Sequence, residues 1–300
     1  MLPIIQKSKI WYALSGAAFV ISVAALLLWK LNFGIDFTGG SLLAVDFPAG
    51  RPDTQKILSA LDSQGLGEII FQNTGEHGVN LRFREIDEAL HKEITQHLAS
   101  VFAGAQERRF ETIGGVVGKE LKSRSLWALA AVLCFVLLFI AWSFRKVSRP
   151  VSSWRYGASA IVALFHDVII TMGVFSILGH YQRHIEIGAP FIAAILTVLA
   201  YSVSDTIVVF DRIRENLFKM RNATFVDTVN ASVNQTMQRS INTSLTILLS
   251  LAAIFFFGGE SIKYFALTLI IGIFVGTYSS IFLASPILVS WHRWRSSAKP

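Results

Sequence analysis

Hydrophobic positions along the chain follow two regimes. Long apolar runs stand at Ile10 to Trp29, Leu126 to Phe144, Tyr156 to Leu178, Ile187 to Phe210, Ile241 to Phe257 and Tyr264 to Trp291. Each reaches the roughly 17 to 25 residues with which a helix crosses a bilayer, so the pattern predicts six transmembrane helices. Tryptophan supports the reading, because the amphipathic indole settles at the headgroup level. Trp11 and Trp29 bracket the first run, Trp127 and Trp142 the second, and Trp154, Trp291 and Trp294 stand at other ends.

Between Lys30 and Arg124 the period changes to that of a water-exposed fold. Ser41 to Phe47, Glu68 to Asn73, Val79 to Arg84 and Ala105 to Ile113 suit strands, the middle two joined by a hairpin-like Thr74 to Gly78. Pro52 to Leu66 and Ile86 to Phe102 carry apolar residues at helical spacing. The order β-α-β-β-α-β predicts a ferredoxin-like α+β domain. The expected class is thus an α-helical membrane protein, a six-helix bundle with one exported domain. Its expected parts are a tail and first span over 1–29, the exported domain and a joint over 30–124, spans two to six over 125–291, and a tail over 292–300. Within the third part, 211–238 is expected to form one or two amphipathic helices on the cytoplasmic membrane surface.

Composition agrees: 53% of the 300 residues are hydrophobic and 16% charged, with a mean hydropathy of +0.52, too apolar for one soluble domain. The formal charge of +7 has its origin in the short loops. Lys7, Lys9, Arg145, Lys146, Arg149, Arg155, Arg212, Arg214, Lys219, Arg221, Arg239, Arg293, Arg295 and Lys299 fall on one side, against Arg183 and Lys263 on the other. Lys and Arg in short loops resist translocation, so both termini are expected in the cytoplasm. The exported domain has eleven Lys and Arg against thirteen Asp and Glu, a balance of −2, so no nucleic-acid surface is implied. The basic start and apolar run of the first span suit an uncleaved anchor rather than a signal peptide, and the single Cys134 excludes a disulfide framework.

The residues that carry chemistry are polar groups inside apolar runs. Asp205 lies in the fourth run, where an acid costs about 2.5 to 3.5 kcal/mol on the lenient insertion scale. Thr197, Tyr201 and Ser204 or Asp205 form one helical stripe, expected to face other helices. In the fifth, Arg239 begins a stripe through Asn242 or Thr243, Thr246 and Ser250. His166, Asp167 and Thr171 occur in the third, and Gly272 and Gly276 form a small-xxx-small packing pair in the sixth. Asp205 and Arg239 are the candidate proton pathway. His166, Asp167, Tyr201, Ser204, Thr243 and Thr246 are candidates for a secondary pathway or for packing. Gly114, Gly115 and Gly118 suggest a flexible joint before the second run; the neighbouring Lys119 and Glu120 do not complete a phosphate loop. His77, His91 and His97 suit ordinary surface histidines, and His180 and His184 a solvated loop, so no metal or other cofactor is expected. No catalytic constellation is present, and the chain is expected not to be an enzyme.

"LNFGIDFTGGS" at 31–41, "HDVIITMG" at 166–173, "YSVSDTIVVFDRIREN" at 201–216, "TMQRSINTSLT" at 236–246 and "GIFVGTYSSIFLASP" at 272–286 resemble the SecF family. That family supplies the smaller subunit of the SecDF accessory complex of bacterial protein export, in the proton-driven RND superfamily. The resemblance implies a bacterial cytoplasmic (inner) membrane protein that works with SecD and the SecYEG channel, with YajC and YidC as companions. It implies use of the proton gradient to help draw preproteins across, the intramembrane acid falling on Asp205 and the arginine of the next span on Arg239. Two positions depart from it: Ser204 stands where Asn is common, and Gly115 where Pro is common. The competing functions are half of a proton-driven small-molecule exporter, or a non-transporting scaffold or insertion factor.

Overall fold

The computed structural model describes residues 1–145, 151–182, 185–220 and 222–297. Lys146, Arg149, Arg183, His184, Arg221 and Lys299, which enter the charge pattern and the histidine pair, lie outside the described residues. The described chain divides into two compact units, one of residues 1–31, 127–177 and 190–300, the other of 32–126 and 178–189.

The second unit contains the sheet. Strands β1 (Gly40–Asp46), β2 (Ile70–Thr74), β3 (Gly78–Phe83) and β4 (Gln106–Ile113) pair antiparallel in the order β2-β3-β1-β4. Strand alternation sends Leu43 and Val45 of β1 opposite Leu81 and Val79 of β3, all four buried. Against this face pack Ile57 and Leu61 of α3 (Thr54–Leu61) and Ile94 and Leu98 of α4 (Glu88–Val101). Each such side chain contributes about 1.5 to 3 kcal/mol on leaving water. Asp53 and Asp87 begin these helices by accepting from Gln55 N at 3.3 Å and Leu90 N at 2.9 Å. Gly75, at φ +57°, makes the left-handed turn between β2 and β3. The ferredoxin-like expectation therefore holds.

Before β1 the chain makes a single turn, α2 (Ile35–Thr38), absent from the sequence reading. Two glycines follow at φ +74° and +120°; a Cβ on Gly39 would lie 2.7 Å from Gly115 Cα, and one on Gly40 2.7 Å from Phe83 O. The joint expected at Gly114 to Gly118 is instead helical, because α5 runs from Gly115 to Ser143. Gly118 lies in its first turns, where a Cβ would lie 3.1 Å from the Phe37 carbonyl. Close approach, not flexibility, accounts for that glycine. His91 is likewise no surface histidine: it is buried, 2.9 Å from Glu107 and stacked on Phe110.

Among the described residues, six helices are long and apolar enough to cross a membrane. They are α1 (Ser8–Leu28), α5, α6 (Ser153–Tyr181), α7 (Ala189–Lys219), α8 (Phe225–Phe257) and a sixth made of α9 (Glu260–Ser279), a π-helical turn at Ser280–Ala284 and α10 (Ser285–Ser297). Pro286, which has no N–H to donate, follows the π turn, and Ser285 Oγ donates to Ser280 O at 3.5 Å. The segment 211–238 does not form separate surface helices. It supplies the end of α7 and the start of α8, where Asn216 Nδ2 donates to Ser232 Oγ at 2.9 Å and Gln235 Oε1 at 3.0 Å. Its apolar positions, Ile213, Val229 and Val233, are buried between helices, because amphipathic spacing serves a helix hairpin as well as a membrane surface.

Candidate functional site: two carboxylates in the helix bundle

Asp205 sits half-buried on α7. Its carboxylate accepts from Ser240 of α8 at Oδ1 and from Ser280 of the π turn at Oδ2. A network of hydroxyls lies beside it: Tyr201 and Ser244 are 2.8 Å apart, and Ser244 and Thr277 2.6 Å. Ser240 and Ser244 are four residues apart, one turn of α8, so both face inward.

Arg239 is exposed and makes no ion pair with Asp205. Thr243 and Thr246 share the exposed surface of α8; Thr246 bonds its own helix at Asn242 O, 2.9 Å away. The inward polar stripe of α8 is therefore Thr236, Ser240 and Ser244, displaced by about one residue from the stripe expected through Arg239. On α7, Thr197 and Ser204 are exposed, whereas Tyr201 and Asp205 are half-buried and bonded to α8, so that stripe lies at the border between a helix contact and an edge this chain leaves open.

A second carboxylate lies on α6. Asp167 is fully buried and has three partners: His166 Nδ1 at 3.1 Å, Ser202 of α7 at 2.7 Å and Ser279 of α9 at 2.8 Å. Gly276 permits this approach, since a Cβ there would lie 3.0 Å from Ser202 Cβ and 3.6 Å from Asp167 Oδ2. At Gly272 a Cβ would strike the side chain of Val198. Ser202, Ser240, Ser244, Ser279 and Ser280 were missed by sequence reasoning. The available signal was serine density within apolar runs, Ser240 and Ser244 at a one-turn spacing and Ser279 and Ser280 adjacent.

The start of α7 is held within the other unit. Asp36 Oδ2 accepts from Ala189 N at 2.6 Å, and Arg82 and Glu186 form a salt bridge at 3.2 Å with both side chains largely buried. Gln72 also donates to Glu186, at 3.0 Å. Gly34 N donates to Ile187 O at 2.9 Å and Ile187 N to Asn32 O at 2.8 Å.

The fold and the site define a polytopic helical membrane protein with acids inside its spans and a ferredoxin-like domain between the first two. The chain belongs to the SecD/SecF family: the model for the C-terminal part of the protein export membrane protein SecD/SecF matches residues 93–294, and that for the SecD/SecF GG motif residues 30–47. Among its relatives, the protein translocase subunit SecF of Thermobaculum terrenum is 42% identical over 97% of this chain and 94% of its own length. That of Haemophilus influenzae is 40% identical over 93% and 82%. The solved structure of SecDF from Thermus thermophilus, a translocon-associated membrane protein, is 31% identical with a TM-score of 0.83 over 96% of this chain. A structure of SecDF in a super-membrane-facing form matches with a TM-score of 0.70 over 98%. This chain spans only 38% and 39% of those two SecDF chains. The family places the chain among accessory subunits of Sec protein translocation.

Proposed function

We propose that the chain works with a SecD subunit in the bacterial inner membrane, both termini in the cytoplasm, as a non-catalytic subunit that uses the proton gradient to promote preprotein export. Asp205 is the carboxylate that gains and loses the proton, and Arg239 tunes it. The observation that carries the reading is that Asp205 is held by neutral hydroxyls and not locked in an ion pair. A serine hydroxyl can donate to a carboxylate or accept from a carboxylic acid, so both protonation states find partners. An intramembrane acid without a fixed counter-ion more often marks an ion route than a packing device.

The open polar edges of α7 and α8, with Thr197, Ser204, Arg239, Thr243 and Thr246, suit coverage by a partner's helices rather than lipid. SecD is that partner, consistent with SecDF chains more than twice as long. The assembly is completed by the SecYEG channel, with YajC, YidC, the translocating preprotein and membrane lipid as further contacts. The test is export into inverted membrane vesicles with and without a proton gradient. Asp205→Asn is expected to assemble at normal level and to lose the gradient-driven part of export; a full response in that variant would make Asp205 structural.

A further inference from the structure

Two adjacent residues serve two different acids. Ser279 donates to Asp167 Oδ2, and Ser280, the next residue and the first of the π turn, donates to Asp205 Oδ2. On α7 the arrangement is echoed: Ser202 donates to Asp167 three residues before Asp205 itself. Asp167 is 0% exposed and His166 5%. The imidazole donates from Nδ1 to Asp167 Oδ1, which leaves its lone pair on Nε2, and Nε2 is buried without any hydrogen-bond partner. His166 also lines a cavity of about 170 Å³ with Ser15, Tyr278, Leu14, Ile170 and Phe274.

We propose that His166 and Asp167 form a second proton-binding site, the proton arriving at His166 Nε2, and that Ser279 and Ser280 link its occupancy to that of Asp205. The linkage rests on the reading of Asp205 given above; the site itself does not. Protonation converts a neutral imidazole beside a carboxylate into an imidazolium beside a carboxylate, so the buried pair goes from a net charge of −1 to 0 without breaking the Nδ1 bond. The pair then carries one proton as a unit. The other titratable group lining the cavity is Tyr278, whose hydroxyl is 3.1 Å from Ser15 Oγ and donates to Trp11 O at 3.3 Å. The lining residues from α1, Leu14, Ser15 and Ala18, bring no charge; α7 brings Ser202, with Asp205 one turn on. Asp167 is therefore the charge that meets the imidazolium.

The π turn supplies the coupling. A carboxylate only accepts, whereas a carboxylic acid also donates, so loading Asp205 changes what Ser280 must do. A backbone shift of this turn on loading would carry Ser279 with Ser280, since the two are adjacent. A π turn holds one residue more than an α turn and is a place where a helix shifts register at low cost.

His166→Asn separates titration from packing, since the Asn amide can still donate to Asp167 but cannot take up a proton. The full chain, co-expressed with its partner subunit and reconstituted in vesicles, is examined by nitrogen-15 NMR of labelled histidine, with the His166 signal assigned by its loss in this variant. In the native complex that signal is expected to change as the pH is lowered over the range in which the complex stays folded, and Ser280→Ala is expected to move the midpoint of that change. His166→Asn is expected to keep protein level and thermal unfolding while the gradient-driven part of export falls about tenfold or more. A His166 nitrogen that stays in one state over the range, or a variant with full gradient response, overturns the site. An unmoved midpoint in Ser280→Ala overturns the linkage. Asp205→Asn run alongside keeps the readings apart, because the nitrogen signal reports on His166 whether or not Asp205 serves export.

Discussion

Asp36 accepts the first backbone N–H of the helix that carries Asp205, with 2.6 Å between its Oδ2 and Ala189 N. An acid at this place satisfies one of the orphan donors of a helix start and opposes the positive end of its dipole.

This contact predicts a graded response to substitution. Asp36→Asn keeps an acceptor but loses the charge and is expected to cost about 0.3 to 1 kcal/mol. Arg82→Ala leaves Glu186 largely buried without its cation and is expected to cost about 1 to 3 kcal/mol. The Arg82→Ala, Glu186→Gln double variant should cost less than the sum of the two singles. Thermal unfolding in detergent and a double-mutant cycle check both statements; additive losses would mean that the pair is not coupled.

The glycines offer a second test. Gly272→Ala drives a methyl into Val198, while Gly16→Ala meets nothing within 4 Å. The first is expected to destabilise by about 1 to 3 kcal/mol through overpacking, the second to be neutral or slightly stabilising. Gly39→Ala combines positive φ with a collision against Gly115 and should be worse than either. Unfolding midpoints of the three purified variants give the order.

At the N-terminus, Asn230 and Asn234 of α8 bind the backbone of the first residues. Leu2 N donates to Asn234 Oδ1 at 2.7 Å and Ile5 N to Asn230 Oδ1 at 3.1 Å, while both amides donate back to Leu2 O. Ile4 and Ile5 are buried. Asn230→Ala with Asn234→Ala is expected to free this segment, raising its hydrogen exchange and its cleavage by protease while the spans stay folded. Unchanged protection would mean that the two isoleucines hold it alone.

The sequence made the six spans and the β-α-β-β-α-β order legible, because run length and alternation depend only on local burial. Side-chain facing was less legible. Arg239 drew attention as a charge, yet the inward position is its neighbour Ser240, and a one-residue shift rotates a helix by about 100°. Ser279 and Ser280 were invisible as a pair, since what distinguishes them is a π turn that sends adjacent hydroxyls to different helices. Gly118 looked like a hinge because glycine suits both flexibility and close approach, and only the position of Phe37 decides between them.

Arg239 yields the last prediction, which follows from its exposure. A guanidinium locked to Asp205 would make Arg239→Met destabilise the lone chain by several kcal/mol, through an uncompensated buried charge. With Arg239 exposed and Asp205 held by Ser240 and Ser280, the same substitution is expected to leave the thermal unfolding of the isolated chain within about 0.5 kcal/mol of native. In the assembled complex the outcome should differ. Arg239→Met removes the cation beside the acid's approach and is expected to abolish most of the gradient-driven export, whereas Arg239→Lys retains a point charge and part of the response. The pair of measurements discriminates three roles. Loss of stability in the lone chain would indicate a structural ion pair, and loss of co-purification with the partner an interface contact. Loss of gradient response with stability and assembly intact is the expected result, and it would place the arginine's work in a state of the complex where its distance from Asp205 changes.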